Sequence, residues 1–539
     1  MKDPGEPFER LDRFVAQCME RAGTPGLALA LTDRNGLVRV SSYGYADVAA
    51  RIAVRPETLF EIGSIGKCFT AIAVMQAAQE GHVDLHAPVT DYLPWFHVRS
   101  EFAPITLHHL LSHTAGIITG ADITSDSRYD VWALRDTDAS APPGEHFHYS
   151  NVGYRVIGHV LEAVLGRTYR EIIHARILVP LEMRASVPAI TNEIRRFLAV
   201  GYEPLFDDRP RDRPGSLVPA TWLETGTADG SVASTAGDMA IFVRTLLNKG
   251  AGLLSEKSFE RMVLPVADQG EVVDSGWSYA YGMATSEEGG HRYLRHGGSM
   301  VGYASAIMAD LTDGFGAVVL VNAPDYEDYT YDVVAFALQL LSASARGDAL
   351  PPVPPPEDPE VVEDPTEYQG TWSSPAAPPL VLAAEGSRLV LKHGELSVPL
   401  ERRGPDRFHA WLPAFSLFDL TFRRVDGDLS QLDRGAIVYR RDGAGPPLGP
   451  IPPAWAAFPG HYRSYNPWLS NFRVVLRGDQ LVLVYPWGRE EALTATGEAR
   501  FRVEEDERSP EWLAFDTVLE GQALRAILSG AEYYRVFTP

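Results

Sequence analysis

Residues 350–359 read Leu350-Pro351-Pro352-Val353-Pro354-Pro355-Pro356-Glu357-Asp358-Pro359, and so dense a run of proline excludes a helix or an inner strand there. The chain must divide into parts that fold on either side of a stiff linker. Beyond that linker lies an internal repeat. Tyr368-Gln369-Gly370-Thr371-Trp372 recurs as Phe458-Pro459-Gly460-His461-Tyr462, and Gly386-Ser387-Arg388-Leu389-Val390-Leu391 as Gly478-Asp479-Gln480-Leu481-Val482-Leu483. Arg407-Phe408 recurs as Arg500-Phe501, and Val438-Tyr439-Arg440 as Tyr533-Tyr534-Arg535. Each copy is made of short alternating strands, which predicts two small antiparallel β-barrels or sandwiches. The expected organisation is a first domain over 1–345, a linker over 346–365, and β-domains over 366–450 and 451–539. Neither copy carries a catalytic cluster. Their expected task is to cover or shape a cleft in the first domain, or to form a homo-oligomer.

The first domain has its own pattern. Phe8, Leu11, Phe14 and Val15 mark an amphipathic helix. Apolar runs at 26–32 and 37–40 flank an Asp33-Arg34-Asn35-Gly36 turn, a hairpin signature. Strands return at 292–296, 304–308 and 316–321, with a turn at Asp313-Gly314, and a helix from Tyr331 to Leu341 closes the unit. From 80 to 250 the pattern is mostly helical; Thr235-Ala236-Gly237-Asp238 reads as a capping box before a helix from Met239 to Leu247, closed by Gly250. Strands early and late with helices between predict an α+β fold: one antiparallel sheet whose ends meet, flanked by helices, with a helical region beside it.

Charge narrows the partners. Against 71 acidic residues stand 48 basic ones, a net −23 that repels phosphate backbones and anionic membranes. The expected partner is a small molecule or short peptide, with no nucleic acid and no membrane. Only Cys18 and Cys68 occur, so a disulfide framework is excluded and a reducing compartment expected. Residues 1–7 lack the apolar core of a signal peptide, and no apolar run has membrane-spanning length, so the expected location is the cytoplasm.

The chemistry centres on Glu61-Ile62-Gly63-Ser64-Ile65-Gly66-Lys67, which runs into an almost unbroken apolar segment ending at Gly81. This reads as a buried helix opening at Ser64 with Lys67 one turn on, so hydroxyl and amine share a face. A lysine in such surroundings needs a partner or a task, and proton acceptance from Ser64 is one. Taken alone, Ser64 is equally an N-cap and Lys67 a snorkelling surface residue. Three further signals follow. Tyr149-Ser150-Asn151 supplies a hydroxyl that can shuttle protons when a lysine cation favours its anion. His296-Gly297-Gly298-Ser299 ends a strand, and its glycines let a substrate lie against the strand edge. His108, His109 and His113 invite a metal reading, but no carboxylate or cysteine stands at a ligand spacing beside them; no metal and no cofactor are expected.

Together, Ser64-Ile65-Gly66-Lys67, Tyr149-Ser150-Asn151 and His296-Gly297-Gly298 resemble the ordered motifs of the serine β-lactamase and penicillin-binding-protein superfamily, closest to its class C β-lactamase-like hydrolases. Leu111-Ser112-His113-Thr114-Ala115-Gly116 and Ser234-Thr235-Ala236-Gly237-Asp238 look like further landmarks, and the resemblance covers about residues 8–345. It implies a β-lactamase-like catalytic domain in which Ser64 attacks a carbonyl to give an acyl-enzyme, Lys67 and Tyr149 carry the proton, and Asn151 holds Lys67 or the substrate. It further implies an oxyanion hole of the Ser64 and Ser299 backbone N–H groups, and substrate contacts from His296, Gly297 and Gly298. The familiar Lys-Thr-Gly is replaced: a lysine there would hold a substrate carboxylate, whereas His296 is largely neutral at pH 7. With the two β-domains, this is similar to the D-aminopeptidase branch and implies an amide-cleaving serine peptidase. The alternatives are a carboxylesterase, less well a D-alanyl-D-alanine carboxypeptidase or β-lactamase, and, from another class, a non-catalytic ligand-binding relative.

Overall fold

The computed structural model describes residues 5–121, 126–211, 216–270, 276–326, 328–425, 427–441 and 451–537. The chain forms two compact units: Met1–Glu203 with Leu217–Pro354 and Arg508–Pro510, and Pro204–Ser216 with Pro355–Glu507 and Glu511–Pro539.

In the first unit, helix α1 (Glu6–Ala22) has Pro7 and two acidic residues in its first turn and buries Leu11, Phe14, Val15 and Cys18. Strand β1 (Gly26–Asp33) and strand β2 (Leu37–Asp47) form the expected hairpin, with β3 (Ile52–Ala53) at its edge. The short β4 (Phe60–Glu61) pairs away from this sheet, with Ala233–Ser234. The sheet has nine strands among the described residues, all antiparallel. After β3, β2 and β1 come Phe315–Val321, Tyr303–Asp310, His291–Met300, Ala284–Glu288, Ser278–Tyr279 and Ala267–Asp268. Its first and last long strands join directly, Leu27 opposite Val321. β1 is an inner strand, buried from Gly26 to Thr32, which explains its unbroken apolar run. Leu27, Leu29 and Leu31 point to one face, where α1 and the closing helix Tyr329–Arg346 pack, Phe14 against Phe336 with ring centroids 5.0 Å apart. The opposite face takes the helix Ala236–Leu247.

Two local expectations change. Ser64 lies in a 3₁₀ turn, Gly63–Ile65, and helix α2 begins at Gly66 and ends at Gln79. Thr235 caps its helix by accepting the Asp238 N–H, but Asp238 does not complete a capping box: its carboxylate takes the N–H groups of Ala185 and Ser186 and the Ser186 hydroxyl.

The second unit holds two closed eight-stranded antiparallel barrels, over Gly370–Arg440 and Gly460–Arg535, rather than sandwiches. The repeat has a structural cause. Trp372 and Tyr462, at matching positions, are both fully buried, and each donates to the carbonyl four residues earlier, Trp372 to Tyr368 at 3.1 Å and Tyr462 to Phe458 at 2.6 Å. Residues 346–365 are no free linker. Arg10 holds the carbonyls of Leu350 and Pro351 in the first unit, whereas Val361 and Val362 pair with Arg388 and Ser387 of the first barrel. The boundary drawn at 450 lies outside the described residues. No helix among the described residues is long and apolar enough to cross a membrane.

Candidate active site

The Ser64 turn is gripped from three sides. The Ile62 N–H donates to Val232 O at 3.0 Å, and Ser305 Oγ donates to Ile62 O at 2.9 Å. The strand His291–Met300 presses on the same turn: a side chain on Gly298 would stand 1.9 Å from Ile62 O, and one on Gly63, whose φ is +52°, 2.7 Å from the Ser299 nitrogen. Only glycine permits this approach. The Ser299 N–H is thereby brought to the Gly63–Ser64 turn. The neighbouring strand Ala284–Glu288 pairs with this one as far as Arg295, and among the described residues no strand pairs with 297–299 on that side.

Lys67 is fully buried. Its Nζ lies 2.9 Å from Ser64 Oγ, 2.7 Å from Asn151 Oδ1 and 2.8 Å from the Asp229 carbonyl. Two of these neighbours only accept, so they take two N–H groups. The remaining position faces Ser64, either as a third N–H or, in the neutral amine, as a lone pair. The Nζ also stands over the rings of Tyr149, 4.8 Å from the centroid, and Tyr154, 5.6 Å.

Tyr149 sits just before helix α3 (Asn151–Leu165), whose N-cap Ser150 accepts the Gly153 N–H. This cap brings both Asn151 Oδ1 and the Tyr149 ring to Lys67 Nζ. Burial pushes the Tyr149 hydroxyl up, and a hydrogen bond with Ser64 opposes the shift. Desolvation is the larger effect, so Tyr149 keeps its proton at pH 7, where the sequence alone favoured the anion beside a lysine cation.

His296 is buried in this neighbourhood. Its Nδ1 donates to the Gly297 carbonyl at 2.6 Å, so Nε2 accepts from the Tyr279 hydroxyl at 2.9 Å. Burial, aided by the Lys67 charge, pulls its pKa down to about 3. Gly297 is packed by Tyr331, whose hydroxyl would lie 2.5 Å from a side chain there. The three other motif histidines go to separate partners: His108 to the Tyr281 hydroxyl, His109 to Thr106, and His113 to the Ser150 N–H. His113 packs against Tyr149 with ring centroids 4.2 Å apart and planes tilted by 35°. Among the described residues, His291, Asp310 and Asp313 stand close enough to share a metal ion, but they lie at the other end of the His291–Met300 strand and Arg346 already holds Asp313 at 2.6 Å.

Ser64, Lys67, Tyr149, Asn151, Gly298 and Ser299 thus converge. Sequence reasoning missed Asp229, Tyr154 and Tyr279. Asp229 acts through its backbone carbonyl, which no side-chain pattern encodes. The two tyrosines sit among other aromatics and carry no spacing signal.

Comparisons with known proteins agree with this geometry. A family profile described as Beta-lactamase matches residues 11–341. Protein flp of Staphylococcus aureus (strain MW2) is 25% identical over 330 residues, 58% of this chain and 63% of that protein, so the chain spans less than two thirds of that relative. Penicillin-binding protein 4 of Amycolatopsis lactamdurans is 28% identical over 395 residues, 69% of this chain and 100% of its own length. Among solved structures, the octameric penicillin-binding protein homologue from Pyrococcus abyssi superposes with a TM-score of 0.59 at 25% identity, covering 80% of this chain and 99% of that one. EstCE1, a hydrolase with promiscuous acyltransferase activity, shares the fold at a TM-score of 0.51 and 21% identity, covering 59% and 93%. The profile takes in well over half of the chain, which belongs to the beta-lactamase and penicillin-binding-protein superfamily of serine hydrolases.

Proposed function

We propose that this serine hydrolase cleaves amide bonds through an acyl-enzyme on Ser64, with a D-aminopeptidase-like preference. The observation that carries the reading is Lys67 Nζ at 2.9 Å from Ser64 Oγ, with its other named acceptors being oxygens that cannot donate to it. The neutral amine takes the Ser64 proton as the oxygen attacks the carbonyl. Tyr149, hydrogen-bonded with Ser64, gives its proton to the departing amine and is re-protonated by the Lys67 ammonium. The Ser64 and Ser299 N–H groups receive the oxyanion, and Asn151 keeps Lys67 in register. Water then attacks the ester on the same path in reverse.

The preference rests on His296. Held neutral, it offers a substrate carboxylate no cation, which disfavours penicillins and peptides ending in D-alanine. The same neutrality admits an uncharged ester, so a carboxylesterase is the second reading. A phosphonate that reacts with activated serines tests the core of the proposal: intact mass should show one adduct, absent in Ser64→Ala. D-alanine p-nitroanilide against p-nitrophenyl acetate then ranks the readings; turnover of the ester alone would overturn the peptidase assignment, and rapid cephalosporin hydrolysis would overturn the argument from His296. On the precedent of the octameric Pyrococcus abyssi homologue, we also propose that the chain assembles with copies of itself. Light scattering that returned a monomer mass would remove that part.

A further inference from the structure

Lys67 is backed by a buried chain of charge. The Asp229 residue whose carbonyl accepts from Lys67 turns its carboxylate to Arg155, which grips it as a fork, Nε to Oδ1 and Nη2 to Oδ2, both at 3.2 Å. The third guanidinium nitrogen, Nη1, is hydrogen-bonded to Asp130 Oδ2. Asp130 and Arg155 are each 6% exposed and Asp229 9%. Two acids and two bases make a neutral row ending on the proposed proton acceptor. The row is also fixed in space. Thr70 Oγ1, one turn beyond Lys67, donates to Ala228 O at 2.6 Å, and Gly230 lies against Gly63 and Gly66.

We propose that Asp130, Arg155 and Asp229 are positioning residues that set the pH at which Lys67 becomes the proton acceptor, with Arg155 drawing the charge of Asp229 away from the lysine. The inference rests on the reading of Lys67 as that acceptor. A carboxylate left to itself beside an ammonium holds the proton on it and delays the neutral amine to higher pH. Here both Asp229 oxygens are committed to Arg155. Burial acts to raise the Asp229 carboxyl, but Arg155 and Lys67 outweigh it and hold it below the usual range, so it stays an anion. The titratable groups facing Lys67 from the surrounding elements are uncharged at neutral pH. Burial pushes Cys68, Tyr149, Tyr154 and Tyr279 up and His113 and His296 down. Tyr169, beside Asp229 and hydrogen-bonded to Thr70, is pushed up likewise. Among the described residues, Asp229 with Arg155 and Asp130 are charged groups standing behind the ammonium.

The test is the rate of phosphonate labelling of the full chain between pH 5 and 10, read by intact mass. The wild-type rate should rise through one midpoint. Asp229→Asn, which keeps the shape and removes the anion, should move that midpoint down by on the order of one pH unit. Arg155→Met should move it up by a similar amount. Should Arg155→Met fail to fold, Asp130→Asn replaces it: with its own partner neutralised, Arg155 opposes the Lys67 charge more strongly and the midpoint falls. Unchanged midpoints, or a downward shift with Arg155→Met, overturn the inference, because a purely structural role lowers the rate at every pH without moving the midpoint. A wild-type chain that takes no label, or a Ser64→Ala chain that does, overturns the serine reading itself and this inference with it.

Discussion

Glu61, three residues before Ser64, is a carboxyl with 4% of its surface exposed, and burial pushes its pKa up to about 8. It therefore keeps its proton in the folded chain at neutral pH and loses it on unfolding. The sign follows: its contribution to stability is full below the unfolded value near 4.5 and is lost as pH rises towards 8. Between pH 5 and pH 8 the loss amounts to roughly 4 kcal/mol at 1.36 kcal/mol per pH unit. Glu61→Gln should remove it. Urea unfolding of both proteins at pH 5 and pH 8 checks this: the wild type should lose several kcal/mol more than the variant over that span, and equal losses would refute the assignment. Residues of this kind explain why the site was half legible. Ser64, Lys67, Tyr149 and Asn151 announce themselves because their side chains do the work at short, ordered spacings. Asp229 and Arg155 stand 74 positions apart, each unremarkable in its own segment, and meet because helix α3 and the segment before Ala233–Ser234 both hydrogen-bond to α2, through Lys67 and Thr70.

At the level of elements, the strands and helices of the first unit were readable from periodicity, since β1 and Phe315–Val321 bury both faces and α1 buries one. The misreadings were at termini. Ser64 looked like a helix start, yet it lies in the 3₁₀ turn at Gly63–Ile65, whose backbone packs against the strand His291–Met300. Asp238 looked like the second half of a capping box, yet three donors from Ala185 and Ser186 compete for its carboxylate. The glycines of the strand motif were read as room for substrate; at Gly298 the nearer constraint is Ile62 O. Gly298→Ala puts a carbon 1.9 Å from that carbonyl and 2.5 Å from Ser305 Oγ, so the strand must retreat by about an ångström. Misplacement on that scale costs about 100-fold in rate. Phosphonate labelling of Gly298→Ala should slow by that order while far-UV circular dichroism stays unchanged; an undiminished rate would show that the strand does not position Ser64.

At the scale of the whole chain, the repeat was visible because Trp372 and Tyr462 need a large buried ring with one polar atom at the same barrel position. What joins the two barrels was not visible, because the residues concerned read as ordinary outward charges on alternating strands. Arg477 of the second barrel is 6% exposed. It holds Glu490 through two nitrogens, at 2.7 and 2.8 Å, and reaches into the first barrel to Asp433 at 3.2 Å and the Gly435 carbonyl at 2.9 Å. Arg423 touches the same two carboxylates, each at 3.2 Å, but its side chain is half exposed. The two arginines therefore differ sharply in weight. Removing Arg477 leaves Asp433, 1% exposed, and Glu490 facing each other with the half-exposed Arg423 as their shared cation, and breaking a buried pair from one side costs about 3–5 kcal/mol. Removing Arg423 costs about 0–1 kcal/mol, as solvent already screens it. Calorimetry of Arg477→Met and Arg423→Met in the full chain should show a large loss for the first and a marginal one for the second. Equal losses would mean that the network is screened throughout, and that the small apolar contact of Val475, Val482 and Val484 with Phe418 holds the barrels together instead.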